Sequence, residues 1–384
     1  MPHPPARLLD ALNPPQREAV LHEGGPLLVL AGAGSGKTRV LTHRIAHLVG
    51  ERGVSPHSII AITFTNKAAG EMRERLQQLV GPAAGRALWA STFHSACVRI
   101  LRRDAGEVGY ERDFSILDDA DQLRLLKLCY DDVQADPKRF APRAMLGRIS
   151  DAKNRLLTPA DMAREVGSFS DQVAVRLYER YQDRLRLSQA MDFDDLLMLT
   201  VELLEGSPEI RERYQRRFEH VLVDEYQDTN HAQYRIVRVL GEPQRNVCAV
   251  GDDDQGIYSW RGADVRNILD FERDYPDAHV VALEQNYRSS GVILRAANAV
   301  VSRNPGRHPK RLWTDKPDGE LIRLVACRDE GEEARMVRAE IERAIEDGQP
   351  LAGIAVFYRT NAQSRAVEDV LVRSGIPYQV IGGP

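Results

Sequence analysis

The sequence predicts an α/β protein, a doubly wound parallel sheet interrupted by an all-helical segment. Three observations predict it. Short apolar runs alternate with segments of helical period, as parallel strands joined by crossover helices require. One such run, Leu27-Leu28-Val29-Leu30, leads straight into Ala31-Gly32-Ala33-Gly34-Ser35-Gly36-Lys37-Thr38, a strand, glycine-rich turn and helix start of the kind that cradles phosphates. From about Asp118 to about Leu204 the apolar runs stop and only helical spacing remains, which marks an insertion rather than a continuation of the sheet.

Taken in order, Asn13 reads as an N-cap with Pro14 at the first helical position. In the glycine-rich turn, Gly34 and Gly36 allow backbone N–H groups to approach a polyphosphate, and the helix that follows points its positive end at the same anion. That helix is read from Val40, Leu41, Ile45 and Leu48. Lys37 is placed to reach the terminal phosphates and the Thr38 hydroxyl to hold Mg²⁺. Against the pattern G-x-x-x-x-G-K-[ST], Ala31 occupies the first glycine position, a mild departure because Gly36, Lys37 and Thr38 carry the chemistry. Residues 59–63 form a second strand, followed by Phe64 and a helix through Met72, Leu76 and Leu79. Residues 88–92 form a third, followed by Phe93-His94 and a helix through Val98, Ile100 and Leu101. Leu123, Leu126, Met145, Ile149, Val173, Leu177 and Tyr181 mark helices of the insertion, and Thr158-Pro159-Ala160-Asp161 is a capped helix start. The strand pattern resumes at 221–223, 247–250 and 280–283. Beyond Glu284 a second α/β region is predicted, with strands at 321–326 and 354–357 and helices at 291–302, 332–346 and 363–373.

Composition bounds the function. A net charge of −4 does not advertise a nucleic-acid binder, although whole-chain charge does not describe local patches. Cys97, Cys129, Cys248 and Cys327 are scattered, with no C-x-x-C pair. That argues against a disulfide framework or a zinc or iron–sulfur site and for a reducing, cytoplasmic setting. No signal-peptide core is present, and no apolar run approaches the ~20 residues of a membrane helix.

The companion of the phosphate loop is Val221-Leu222-Val223-Asp224-Glu225, an apolar strand that delivers two carboxylates to the edge where open α/β sheets bind ligands. Asp224 is assigned to Mg²⁺ through its water shell and Glu225 to polarising the attacking water. Paired acids at a strand end are also common surface features; the upstream phosphate loop selects the catalytic reading.

Further stretches then fall into a pattern: Thr63-Phe64-Thr65-Asn66-Lys67-Ala68-Ala69, Thr92-Phe93-His94, Asp224-Glu225-Tyr226-Gln227-Asp228, Gly251-Asp252-Asp253-Asp254-Gln255, Ile257-Tyr258-Ser259-Trp260-Arg261-Gly262 and Asn286-Tyr287-Arg288-Ser289. With Lys37-Thr38 they match, in order and spacing, the superfamily 1 DNA helicases of the UvrD/PcrA/Rep type, which the chain resembles over essentially its whole length. The resemblance implies a RecA-like P-loop motor domain (1A) at 1–115 and 200–283, a helical insertion (1B) at 116–199, and the first part of a second RecA-like domain (2A) at 284–384. It implies ATP and Mg²⁺ as cofactors, single-stranded and 3′-tailed duplex DNA as partners, 3′–5′ translocation, and work in DNA repair or replication. By the same resemblance Gln16 reads the adenine edge and Tyr287 stacks on the ring. Ala33, Gly34, Ser35, Gly36 and Arg39 line the nucleotide, Gln255 senses the γ-phosphate, and Arg288 is an arginine finger. Phe64, Tyr258 and Trp260 stack on bases, while Thr92, His94, Arg359 and Asn361 touch the DNA track; for His94 a buried structural role stays equally open.

Two basic clusters are candidates for phosphate contact: Arg288, Arg295, Arg303, Arg307, Lys310 and Arg311, and, in the insertion, Lys138, Arg139, Arg143, Arg148, Lys153 and Arg155. A solvated face explains such runs equally well. The chain stops at Pro384, just past Gly382-Gly383, before the elements that complete a second motor domain in the resembled family. The expectation is therefore a truncated form that binds nucleotide, hydrolyses it at most marginally and unwinds no duplex. Two other readings stay open at this point: a non-catalytic single-stranded DNA-binding module and the motor of a helicase–nuclease.

Overall fold

A computed structural model describes residues 6–381, with side chains from residue 8. The chain end at Gly382-Gly383-Pro384 lies outside the described residues. Among the described residues eight strands form: β1 (Leu27–Ala31), β2 (Ile59–Thr63), β3 (Trp89–Thr92), β4 (Ser115–Ile116), β5 (Ala190–Met191), β6 (His220–Val223), β7 (Val247–Gly251) and β8 (His279–Leu283). Six of them form one sheet in the order β3-β2-β6-β7-β1-β8, with every ladder parallel. The near-continuous apolar character of these strands follows from burial on both faces. Leu28, Leu30, Ile60 and Val223 face one core, and Leu27, Val29, Ala61 and Val250 face the other.

Parallel strands deliver all their following loops to one edge. The phosphate loop after β1, Phe64 after β2, Thr92 at the end of β3, Asp224 after β6, the 252–260 loop after β7 and the Glu284–Arg288 stretch after β8 therefore share that edge. Strand order then separates them. From β2 to β1 is three inter-strand steps, or about 14 Å at the usual spacing, and β6 and β7 lie between.

The first helices arise as the sequence predicts. Asn13 caps Pro14–Leu21 through a reciprocal box with Gln16, and Arg44 donates to the carbonyls of Ala19 and His22 at that helix's far end. The helix Lys37–Gly50 starts from Gly36 in the left-handed region, φ 93°. The central helices Asp119–Val133, Pro142–Asn154 and Phe169–Leu187 enclose a core of their own around Leu126, Ile149, Leu177 and Tyr181. A two-residue parallel ladder of β4 with β5 closes its base; so short a pairing has no readable sequence period.

Beneath that core lies a buried ionic knot. Lys153, with no exposed side-chain surface, reaches Asp192 at 2.7 Å and Asp195 at 2.8 Å. Those two acids form the capping box of the helix Phe193–Gly206, and Gln182 donates to Asp195 at 3.0 Å. Burial works against the charge of Lys153, yet the two carboxylates outweigh it and hold its ammonium above the ordinary lysine value.

Contacts divide the described chain after Gly319. Within residues 320–381 the helices Glu330–Glu346 and Ser364–Arg373 bury Ala334, Ile341 and Leu371. The strands predicted at 321–326 and 354–357 do not form: both stretches run without a ladder among the described residues, and Leu324 and Phe357 are 98% and 93% exposed. An apolar run states that a segment suits a sheet; only a partner's N–H and C=O groups make it a strand.

Candidate functional site

The phosphate loop is held open by its neighbours. Gly34 (φ 70°) and Gly36 (φ 93°) sit where L-residues are strained. A Cβ on Gly34 would lie 2.7 Å from Cβ of Arg288 and 2.7 Å from Nδ2 of Asn286; on Gly36 it would lie 2.9 Å from Nε2 of Gln16. Fully buried Gln16 donates to the Ser35 carbonyl at 2.8 Å. Tyr287 N–H donates to the Gly34 carbonyl at 2.9 Å, and Asn286 Nδ2 donates to that of Ala33. The ring of Tyr287 is tethered by Asn13 Nδ2, which donates to its hydroxyl at 2.9 Å. Gln16, Ala33, Gly34, Ser35, Gly36, Tyr287 and Arg288 are thus brought together. Arg39 and Arg288 are exposed, and among the described residues neither guanidinium has a carboxylate partner. Asn13 reads from sequence only as a helix cap and Asn286 only as part of a motif; their contacts with Tyr287 and with the phosphate loop depend on residues distant in sequence.

A Gly34→Ala substitution should therefore distort the cradle. The left-handed conformation alone disfavours Ala by about 1–2 kcal/mol, so ATP affinity is expected to fall roughly tenfold. Titration calorimetry checks this, and unchanged affinity would show that the loop tolerates a Cβ.

Lys37 lies at the mouth of the cradle, its ammonium 2.8 Å from Glu225 Oε2. Glu225 is a non-glycine residue at φ 52°, a conformation held by the structure around it, and Gln227 Nε2 donates to the same carboxylate oxygen at 3.0 Å. Asp224 is buried beside it. Burial first, then the Glu225 charge, push its carboxyl up to about 7 against the pull of Lys37. Among the described residues the Thr38 hydroxyl is left without a partner. A partnerless hydroxyl, a buried carboxyl whose ionisation a cation would favour, and a loop that a single Cβ would fill together fit Mg²⁺ bound with a polyphosphate.

Gln255 lies one turn beyond β7, its Nε2 donating to Asp252. Asp252, Asp253 and Asp254 cluster within 4.8 Å, but Lys310 stands among them, 2.9 Å from Asp252 and 2.9 Å from Asp254. Arg307 grips Asp254 with two bonds of 2.8 and 2.7 Å. These two cations, read from sequence as candidates for DNA phosphates, are occupied by the protein's own carboxylates. Arg295 likewise pairs with Asp318. In the insertion, Lys153 is buried, while Arg148 and Arg155 pair with Asp171 and Glu165.

The aromatic residues form a stair. Phe64 stacks on Tyr258 with centroids 5.3 Å apart, and Tyr258 lies 6.4 Å from Trp260, which is 70% exposed. Arg261 lies over Trp260 at 4.6 Å. A cleft of about 480 Å³ opens beside them, lined by Phe64, His94, Asn154, Asn230, Trp260 and Arg261 among others. His94 packs edge-on against Phe193 at 5.9 Å, and burial lowers its imidazole below the ordinary value. Thr92 caps the helix Phe93–Asp104, accepting from Ser95 N–H at 3.3 Å. Phe193, 44% exposed, was missed: its sequence neighbourhood reads as an ordinary helix start. Arg359 and Asn361 lie in the unit after Gly319 and are exposed there.

Comparison with known proteins follows this geometry. Residues 12–276 match the UvrD/REP helicase N-terminal domain and residues 281–384 the UvrD-like helicase C-terminal domain. The chain is 52% identical over 378 residues to the ATP-dependent DNA helicase PcrA of Bacillus subtilis, covering 98% of this chain and 51% of that protein. It is 51% identical over 376 residues to PcrA of Staphylococcus aureus, with the same coverage. It is 54% identical over 395 residues to the ATP-dependent DNA helicase UvrD1 of Mycobacterium bovis, covering 100% of this chain and 51% of that protein. The chain thus spans about half the length of the curated relatives it matches.

Proposed function

We propose that this chain, which belongs to the UvrD/REP helicase family, binds Mg·ATP at the phosphate loop, and that in a protein with both motor domains complete the turnover of that ATP drives movement 3′ to 5′ along single-stranded DNA, as in repair or replication. The observation that carries the reading is a shared edge: the Lys37–Glu225 pair and the Phe64–Tyr258–Trp260 stair are fed by strands of one parallel sheet. The loop after β7 belongs to both, with Gln255 three residues before Tyr258.

The roles proposed here are those the family resemblance implies, and the proximity of these residues to the phosphate loop and the aromatic stair supports them. Lys37 meets the terminal phosphates once they displace Glu225 as its partner, and Glu225 then turns to the attacking water. Thr38 and Asp224 hold Mg²⁺, which when bound offsets the charge of the phosphates. Gln16 and Tyr287 take the base, with Arg288 beside the loop as the arginine finger. Phe64, Tyr258 and Trp260 take successive DNA bases; Thr92, His94, Arg359 and Asn361 take its backbone. We assign 1–115 and 200–283 to the first motor domain, 116–199 to the insertion and 284–384 to the second motor domain; the separate core of the central helices supports the insertion. No helix among the described residues is long and apolar enough to cross a membrane, and a cytoplasmic site of action is consistent with that.

Two measurements test this. In a protein with both motor domains complete, Mg·ATP-dependent displacement of a 3′-tailed but not a 5′-tailed duplex is the expected polarity; the reverse preference would refute it. Trp260→Ala should weaken binding of mixed-sequence oligonucleotides by ~1–3 kcal/mol, because stacking is lost whatever the base. Fluorescence anisotropy reads this, and an unchanged affinity would remove Trp260 from the track.

A further inference from the structure

The three consecutive acids after β7 and the basic segment that covers them have no part in the reading so far. Asp252 is 3% exposed and Lys310 8%. Asp252 is a node: one carboxylate oxygen accepts from Lys310 at 2.9 Å and the other from the side-chain amide of Gln255. Its backbone N–H donates at 3.0 Å to Gln227, whose own amide holds Glu225. Lys310 also pairs with Asp253 and Asp254, Arg307 donates to the Lys310 carbonyl at 3.0 Å, and His308 N–H donates to Asp253 at 2.7 Å. Without Lys310, three adjacent carboxylates would face Arg307 alone among the fixed cations, and like charges so close repel strongly in a low-dielectric site.

The same segment reaches the phosphate loop two residues later. The Leu312 side chain covers Gly32 so closely that a Cβ there would overlap it. Asn298 fixes Leu312 by donating to its carbonyl at 2.8 Å. The Trp313 carbonyl accepts at 2.7 Å from Asn286 N–H, and the Asn286 side chain holds Ala33. One stretch of chain, 307–313, therefore touches both the acidic turn that carries Gln255 and the loop that would hold the phosphates.

We propose that Lys310 is a positioning residue for the γ-phosphate response: by fixing Asp252 it fixes the amide of Gln255, and through Leu312 and Trp313 it ties that amide's position to the phosphate loop. This deepens the nucleotide-binding reading and rests on it. In the nucleotide-free protein Asp252 holds the Gln255 amide, and a bound γ-phosphate would compete with it for that amide. Lys310 draws charge from Asp252 and so lets the amide transfer to the phosphate rather than stay bound.

The test is equilibrium binding of ADP and of a non-hydrolysable ATP analogue, each with Mg²⁺, to the whole chain. Lys310→Met should cut the preference for the triphosphate by roughly tenfold and leave ADP affinity within about twofold, since ADP does not meet Gln255. Lys310→Arg, which keeps the charge, should retain most of the preference. An unchanged preference in Lys310→Met, or equal losses for both nucleotides, would overturn the proposal, the second because it marks a merely structural role. If Lys310→Met does not fold, Asp252→Asn keeps the shape of the node and weakens its hold on Gln255; it should raise the preference for the triphosphate, opposite in sign to Lys310→Met, and no change or a fall would overturn the proposal. Failure of the unaltered protein to bind ADP would instead refute the nucleotide site itself. ADP binding without any triphosphate preference would overturn the role of Lys310 alone.

Discussion

In a protein with both motor domains complete, replacing Glu225 by Gln is expected to lower DNA-stimulated ATP turnover by about 10²–10³-fold, the loss typical when one group that acts only in the transition state is removed. ATP affinity should not fall with it and should rise slightly. The reason is the 2.8 Å pair between Lys37 and Glu225: without nucleotide the ammonium that is to meet the phosphates is held by the carboxylate that is to activate water. Gln keeps the shape and the hydrogen bonding to Gln227 but releases Lys37 from a competing charge. Lys37→Ala should do the opposite, weakening binding and turnover together. Single-turnover kinetics with a parallel binding titration separate the two. Turnover within about twofold of the unaltered protein for Glu225→Gln would remove Glu225 from the chemistry.

Lys153→Met is expected to destabilise the protein by about 3–5 kcal/mol, the usual consequence of removing one partner from a buried ionic group. Asp192 and Asp195 would face each other at the start of the helix Phe193–Gly206 without the cation that both contact, in a site that excludes water. Conversion of both acids to Asn in the same background should recover much of the loss, because Asn at those positions still caps the helix. Urea unfolding monitored by far-UV circular dichroism measures both variants. A loss below about 1 kcal/mol for Lys153→Met would place the knot with surface pairs. Its location gives the result a functional side: the next residue, Asn154, accepts from Asn230 and donates to Asp194 at 3.1 Å in the wall of the aromatic cleft.

Much of this was legible in the sequence, and the reasons differ by element. The strands that lead to Ala31, Phe64, Asp224 and Asp252 were readable because burial on both faces leaves runs such as Ile59-Ile60-Ala61-Ile62 with no polar residue. Asn13 and Thr158 announced their helices because a cap is a local hydrogen bond between residues three apart. Strand order was not readable, since nothing local states that β1 lies between β7 and β8. The fate of the basic residues was also hidden: Arg307 and Lys310 look like free cations until the fold sets them against acids more than fifty positions earlier. The same holds for Lys153, whose partners lie about forty residues on. At 321–326 and 354–357 the apolar pattern predicts strands that do not form among the described residues, because pairing is a property of two segments and cannot be read from one.

If ATP and single-stranded DNA bind at this shared edge as proposed, each should alter the binding of the other, and binding linkage reads that coupling. Affinity for a single-stranded oligonucleotide should be measured by anisotropy with and without saturating Mg²⁺ and a non-hydrolysable ATP analogue. The nucleotide is expected to change DNA affinity by at least about fivefold, and the oligonucleotide to change nucleotide affinity by the same factor, as reciprocity requires. Identical DNA affinities with and without nucleotide, in a protein that binds both, would contradict it.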